Sequence, residues 1–284
     1  MKKLYIVLAF LIIGILIIVL YFLLPFPKLL ILRSVKNNLL LLNENGYGVR
    51  VIDFNKSKEY SYFENVSVIS ACFNDEGTKI IASTGNYIIE YDIERNVEKT
   101  ISEIENTTFW DRKDDKIILR ENHGIFDINT GDIQPLLDKP SDAKACTWGI
   151  DNSIIYTTYI QVKGLLEYDG SIFDMNTNEY KHLPGEPYIS SSKDGEYISC
   201  IGVDTLSSKD FLSIKKSEKK DHFNIKSISG DDIKYCKFSS DNKYVAVCLY
   251  KEKTKKYEIV IWDFVNNYKK TISKTDSIIY CDWR

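Results

Sequence analysis

Five aspartates recur in one frame, an apolar residue, Asp, an apolar residue and then a polar turn. They read Ile52-Asp53-Phe54, Tyr91-Asp92-Ile93, Phe126-Asp127-Ile128, Phe173-Asp174-Met175 and Trp262-Asp263-Phe264. Carboxylates can act as general acids and bases, but only where they converge on one proton. From Asp53 to Asp263 is 210 residues and five repeat steps, or 42 per step. One carboxylate per repeat keeps the five apart. An Asp ahead of a turn has another use: its side chain accepts the backbone N–H groups that follow it. Turn capping is therefore the reading the spacing supports.

The other reactive residue types form no set. His123, His182 and His222 fall in three different repeats, without metal-type spacing. Gly46-Tyr47-Gly48 begins like a dinucleotide loop, yet no third Gly follows and a strand pattern, not a helix, comes next. No Gly-x-Ser-x-Gly, phosphate loop or Cys-x-x-Cys occurs. No catalytic residue, metal site or cofactor is expected. Cys146, Cys236 and Cys281 each stand two residues before a repeat aromatic. Strand alternation places them on its face, as small buried hydrophobes. Cys236 and Cys248 lie on paired strands in a diagonal register, which predicts no bond between them. The clusters at residues 215–220 and 251–256 mix Lys with Glu and read as solvated hairpin tips.

The elements that carry these residues repeat as well. An aromatic, a short polar turn and an apolar run follow each other at Phe73, Trp110, Trp148 and Phe238. A fifth copy at Ser191 has Ser at the aromatic position. Asp, Asn and Gly between two apolar runs is hairpin chemistry. A spacing near 42 matches four-stranded propeller blades. The repeats resemble those of WD-repeat and TolB-like β-propellers, and Trp262-Asp263 reproduces the WD dipeptide. The Gly-His pair of well-conforming WD repeats is absent, so the TolB-like branch fits better. The resemblance implies a fold and is almost silent on function.

Six innermost strands are predicted: 68–73, 106–110, 144–148, 187–191, 233–238 and 278–283. The last stops at Trp283-Arg284, and the first repeat begins at a second strand near Lys36. The two fragments complete one blade. The expectation is an all-β, six-bladed β-propeller over residues 36–284, closed by the N- and C-terminal strands. The aromatics Phe73, Trp110, Trp148, Phe238 and Trp283 are expected to be buried between blades.

Residues 4–24 carry no charge and no Pro. Twenty-one helical residues span roughly 31 Å, the hydrocarbon thickness of a bilayer. The run is too long for a cleaved signal peptide, and no small residues follow it. One transmembrane helix at 4–24 is expected, after a tail at 1–3 and before a linker at 25–35. Lys2 and Lys3 place the amino terminus in the cytoplasm and the propeller outside it. The formal net charge is −3, and removing the two lysines of residues 1–27 leaves −5. No basic field suggests nucleic acid.

Long second-to-third loops are expected at Tyr159–Gly170, Gly202–Asp210 and Tyr250–Lys256. Binding resides on such loops, so Tyr159, Gln161, Lys163, Tyr168, Asp204, Lys251 and Lys253 are the candidate contacts for a protein or glycan. The functional expectation is a non-catalytic, membrane-anchored scaffold for interaction or ligand binding. The alternative is a hydrolase or lyase at the channel mouth. A cluster there of three or more acidic, amide or His side chains is the discriminating feature.

Overall fold

The computed structural model describes residues 39–43, 47–105, 107–120, 124–136, 145–149, 153–162, 165–183, 188–204, 209–216, 232–276 and 280–283. The expected membrane span and linker lie outside them. Among the described residues no helix is long and apolar enough to cross a membrane.

Among the described residues twenty-three strands form six antiparallel sheets. Blade 1 joins the chain ends: β23 (Tyr280–Trp283) pairs with β1 (Leu39–Asn43), followed by β2 (Tyr47–Asp53) and β3 (Lys58–Ser67). Blade 2 comprises β4 (Ser70–Phe73), β5 (Lys79–Ser83), β6 (Tyr87–Asp92) and β7 (Val97–Glu103). Blade 3 comprises β8 (Phe109–Lys113), β9 (Lys116–Leu119), β10 (Gly124–Asp127) and β11 (Ile133–Pro135). Blade 4 comprises β12 (Ala145–Trp148), β13 (Ser153–Val162), β14 (Leu165–Asp174) and β15 (Glu179–Leu183). Blade 5 shows three strands among the described residues, β16 (Tyr188–Ser191), β17 (Tyr197–Asp204) and β18 (Lys209–Lys216). Blade 6 comprises β19 (Asp232–Phe238), β20 (Tyr244–Lys251), β21 (Lys256–Asp263) and β22 (Tyr268–Thr275).

The inner strands touch in the cyclic order β4, β8, β12, β16, β19, β23 and back to β4. The six-bladed ring expected from the repeats is closed by the termini, with Leu40 opposite Trp283. Each blade is covered on both faces, so inner strands need no polar side. β4 is buried at every position, whereas the outer strand β7 is exposed at most of its positions. Core clusters form between adjacent blades; one joins Leu41 and Val51 of blade 1 to Phe73, Ile80 and Ala82 of blade 2. Burying a side chain of this size stabilises the fold by roughly 1.5–3 kcal/mol.

The turn chemistry follows the repeat. Asn74 Oδ1 accepts the N–H groups of Thr78 (2.9 Å) and Lys79 (2.8 Å), and Gly77 takes φ +72°. Ser192 and Ser239 serve the same purpose for Tyr197 N and Tyr244 N, with Gly195 and Asn242 at positive φ. Gly48, at φ +67° in a bulge of β2, is needed for a second reason: a Cβ there would lie 3.0 Å from the Tyr62 carbonyl oxygen.

Two expectations are corrected. In blade 3 the first turn is shorter, with Lys113 opposite Lys116 and Asp114 at φ +54°. A bulge between Phe109 and Asp111 absorbs the difference in length. Phe109 is buried at 1% exposure, while Trp110, the bulged residue, is only partly buried. Phe73, Trp148, Phe238 and Trp283 are buried as expected. The second correction concerns the loops. Residues 159–162 and 165–170 are paired strand, with Tyr159 opposite Tyr168 and Val162 opposite Leu165. Gly202–Asp210 contains the pairs Gly202–Phe211 and Asp204–Lys209, and Tyr250 and Lys251 face Tyr257 and Lys256. Residues such as Tyr, Ile, Val and Phe favour continuing the ladder over leaving it.

Candidate functional site

The five repeat aspartates cap turns. Asp53 Oδ1 accepts Lys56 N–H at 2.9 Å, and Asp92 Oδ1 accepts Arg95 N–H at 2.9 Å. Asp127 takes Asn129 N–H (2.9 Å), Asp174 takes Asn176 N–H (2.8 Å) and Asp263 takes Asn266 N–H (2.8 Å). None is brought to the axis of the ring.

A different set of residues is brought there. Pairing register aligns Cys72, Asp111, Thr147, Ser190, Lys237 and Asp282, each opposite the equivalent residue of its second strand. Each stands one residue before the position of the repeat aromatic. All six are buried. The bulge in β8 puts Arg112, not an aromatic, at the next position of blade 3.

Lys237 reaches across the axis. Its ammonium bonds Asp111 Oδ1 on the opposite blade and lies 3.8 Å from Asp282 Oδ1. Asp111 Oδ2 also accepts Thr147 Oγ1–H (2.6 Å) and Trp148 N–H (3.0 Å) of blade 4. Asp282 Oδ2 accepts Phe73 N–H (2.9 Å) of blade 2 and Arg112 Nε–H (3.3 Å) of blade 3. Two cations and two anions thus brace five blades. Burial pulls the Lys237 ammonium down, but Asp111 and Asp282 outweigh it and hold the group above its ordinary range.

A second diametric tie lies above the first. Lys193 Nζ of blade 5 sits 2.7 Å from Asp75 Oδ1 of blade 2, and Arg112 Nη1 approaches the same oxygen at 3.9 Å. Lys193 N–H donates to Asn242 Oδ1 (3.2 Å), and Asp75 N–H donates to Asp115 Oδ1 (3.1 Å). Between the two ties lies a cavity of about 40 Å³, lined by Asp111, Arg112, Trp148, Lys193, Lys237 and Trp283 among others. It suits a molecule the size of water.

The channel mouth therefore does gather three acids, Asp75, Asp111 and Asp282, the number set for the hydrolase or lyase alternative, but each faces a Lys or Arg. Asp111 holds a full set of donors, so it acts as a brace and a counter-charge. Proton abstraction would first require breaking its bond to Lys237. Among the described residues no group of three His, Cys, Asp or Glu is arranged to hold a metal ion. The sequence does carry a signal for this network that motif reading misses. Lys237 and Asp282 are lone charges inside otherwise uncharged runs, Tyr235-Cys236-Lys237-Phe238 and Tyr280-Cys281-Asp282-Trp283.

All six cysteines are buried free thiols. Cys146, Cys236 and Cys281 share core clusters with Trp148, Phe238 and Trp283 respectively. Burial pushes the Cys236 and Cys248 thiols up to about 12 each.

The expected contact residues that are described lie at the other end of the ring and on three blades. Tyr159, Gln161 and Tyr168 belong to the β13–β14 hairpin, and Tyr159 and Tyr168 are directly paired. Lys163 lies outside the described residues. Asp204 ends β17 opposite Lys209. Lys251 ends β20, and Lys253 is exposed in the following turn. Among the described residues the β13–β14 hairpin runs on past the strands that flank it. β12 pairs with β13 through Thr157, and β15 pairs with β14 from Gly170. Among the described residues, 158–162 and 165–169 pair only with each other, a two-stranded ribbon beyond the blade.

By structure the chain is similar to TolB from Acinetobacter baumannii, with 13% identity and a TM-score of 0.65 over 87% of this chain and 66% of that one. The chain thus spans just under two thirds of that TolB. Putative TolB from Agrobacterium tumefaciens matches at 10% identity and a TM-score of 0.62, over 87% of this chain and 98% of the other. The β-propeller domain of the Trilobed protease from Pyrococcus furiosus, described as having an open velcro topology, matches at 18% and 0.54, over 80% of this chain and 74% of that one. No family model and no curated protein matches. At these identities the likeness establishes the fold, a TolB-like six-bladed propeller.

Proposed function

We propose that this TolB-like six-bladed ring is a non-catalytic, membrane-tethered scaffold whose partner binds at the β13–β14 ribbon. The observation that carries the reading is the ribbon itself. Its backbone edges are unpaired beyond Thr157 and Gly170 among the described residues, and a bare strand edge is a template for another chain. The partner is a protein that adds a strand there. The braced axis supports the same reading, because its carboxylates are already held by Lys237 and Arg112.

The tether is the apolar run at 4–24, with the propeller outside the cytoplasm. The chain joins the ring at β1, whose first residues face the end of β23. That end of the ring carries the axial cavity, which Trp283 lines. The ribbon stands at the opposite end. A tethered ring would turn its cavity face to the bilayer and the ribbon away from it.

Replacement of residues 159–168 by Asn-Gly, a two-residue hairpin turn, tests the reading. Cross-linking on intact cells should capture a partner with the native chain and lose it with the shortened one, at unchanged thermal stability. Capture of the same partner by both would overturn the proposal. Trypsin should cut at Lys163 on right-side-out vesicles. Cleavage only after the membrane is breached would overturn the topology while leaving the ribbon reading to the capture experiment.

A further inference from the structure

The blade 1–blade 2 boundary carries a groove of about 880 Å³ on the cavity face of the ring. That volume lies within the range of sites that enclose a ligand. Its walls include Leu39, Val51, Tyr60, Tyr62, Tyr91 and Ile93, with Glu76 and Glu94 exposed at its margin. Tyr62 and Phe63 both pack on Tyr91, at ring distances of 5.1 and 5.5 Å. These contacts fix the aromatic wall.

Leu39, one of the wall residues, is also the first residue of β1. Whatever precedes it must leave the ring at the mouth of this groove. The preceding eleven residues are Lys28-Leu29-Leu30-Ile31-Leu32-Arg33-Ser34-Val35-Lys36-Asn37-Asn38. They carry three positive charges and no acid. The groove carries Asp53, Glu76 and Glu94 against Lys56. Five apolar side chains of the segment, Leu29 to Leu32 and Val35, match the tyrosine wall in kind. Extended, eleven residues reach roughly 36–40 Å, ample to follow a groove that starts at their own attachment point.

We propose that residues 28–38 dock back into the blade 1–blade 2 groove, their apolar side chains on Tyr60, Tyr62 and Tyr91 and their cations on Glu76 and Glu94. The groove is then a latch for the chain's own leading segment. Intramolecular tethering supplies an effective concentration of the order of millimolar, so weak contacts suffice. The latch does not depend on the ribbon reading. For a membrane-tethered ring it has one consequence: latched, the ring is held close to its anchor, and released, it gains the reach of the eleven residues.

The test uses the full chain with a photoreactive benzophenone amino acid in place of Leu32. Irradiation should give an intramolecular adduct, mapped by mass spectrometry to residues 51–62 or 91–96. The double variant Glu76→Lys, Glu94→Lys changes two exposed side chains and should reduce that adduct at least fivefold, with unchanged thermal unfolding. In the same variant, tryptic cleavage after Arg33 and Lys36 should accelerate about tenfold, measured in detergent. An adduct only to lipid, only between two copies, or to other parts of the ring would overturn the latch. So would an adduct and cleavage rates that are indifferent to both charge reversals.

Discussion

Lys237 on the inner strand of blade 6 pairs with Asp111 on the inner strand of blade 3, directly across the axis. Neither blade adjoins the other, so this bond reports closure of the whole ring. Asp282, on the blade that joins the termini, faces the same ammonium at 3.8 Å. The charge network is therefore built partly from the last residues of the chain.

Breaking this pair from one side should be costly. Lys237→Met leaves Asp111 and Asp282 buried with less counter-charge, and losing one partner of a buried pair costs about 3–5 kcal/mol. Asp111→Asn combined with Lys237→Met should recover part of that loss, because no carboxylate remains at position 111. Urea unfolding of the two single variants and the double measures the coupling. Strict additivity would show that the pair does not act as a unit.

Deleting residues 280–284 should remove cooperative unfolding. β1 would lose its inner neighbour and expose a bare edge, and Asp282 would vanish from the axis. A truncated chain that keeps the urea midpoint and slope of the full chain would contradict closure by the termini.

Alkaline pH should weaken the fold through its buried thiols. The Cys236 thiol is raised by burial from 9.0 to about 12, against a lowering by the Ser199 hydroxyl. Cys248 is raised by burial over the same interval. A group whose folded pKa lies above its unfolded value stabilises fully below the unfolded pKa. Its contribution is lost as pH rises toward the folded pKa, here from 9.0 to about 12. Each such thiol adds a slope of about 1.4 kcal/mol per pH unit in that window. Lys237, also raised, acts in the same direction from 10.5 upward. Cys236→Ala should flatten the loss of stability between pH 9 and 10.5 by one thiol's share. An unchanged slope in urea melts across that range would refute it.

The bulge in β8 separates two adjacent aromatics. Phe109→Ala empties a site between blades 2 and 3 and should cost about 3–5 kcal/mol. Trp110→Ala should cost less than half of that, although Trp is the larger side chain. Equal losses in thermal or urea unfolding would place Trp110, not Phe109, in the inter-blade core.

The sequence by itself determined the fold because its signals are local and repeated. An Asp, Asn, Ser or Gly placed between apolar runs specifies a hairpin turn from within a few residues, and Asn74, Ser192 and Ser239 cap those turns as their neighbours demand. Repetition near 42 residues and the split blade at Leu40 and Trp283 then define the ring. The cap role of Asp53, Asp92, Asp127, Asp174 and Asp263 was legible for the same reason. The site was not. Asp111, Lys237 and Asp282 are far apart in the chain and meet only because six inner strands converge on one axis. A bulge shifted blade 3 against the repeat, moving Arg112 into the aromatic position and Trp110 out of it. No local pattern reveals that shift, since bulged and regular pairing use the same residues in the same order. Nor could composition separate a loop from a ribbon at residues 158–162 and 165–169; cross-strand pairing decided it. What depends on neighbours in sequence can be read in sequence. What depends on register and on the approach of distant blades is set by packing.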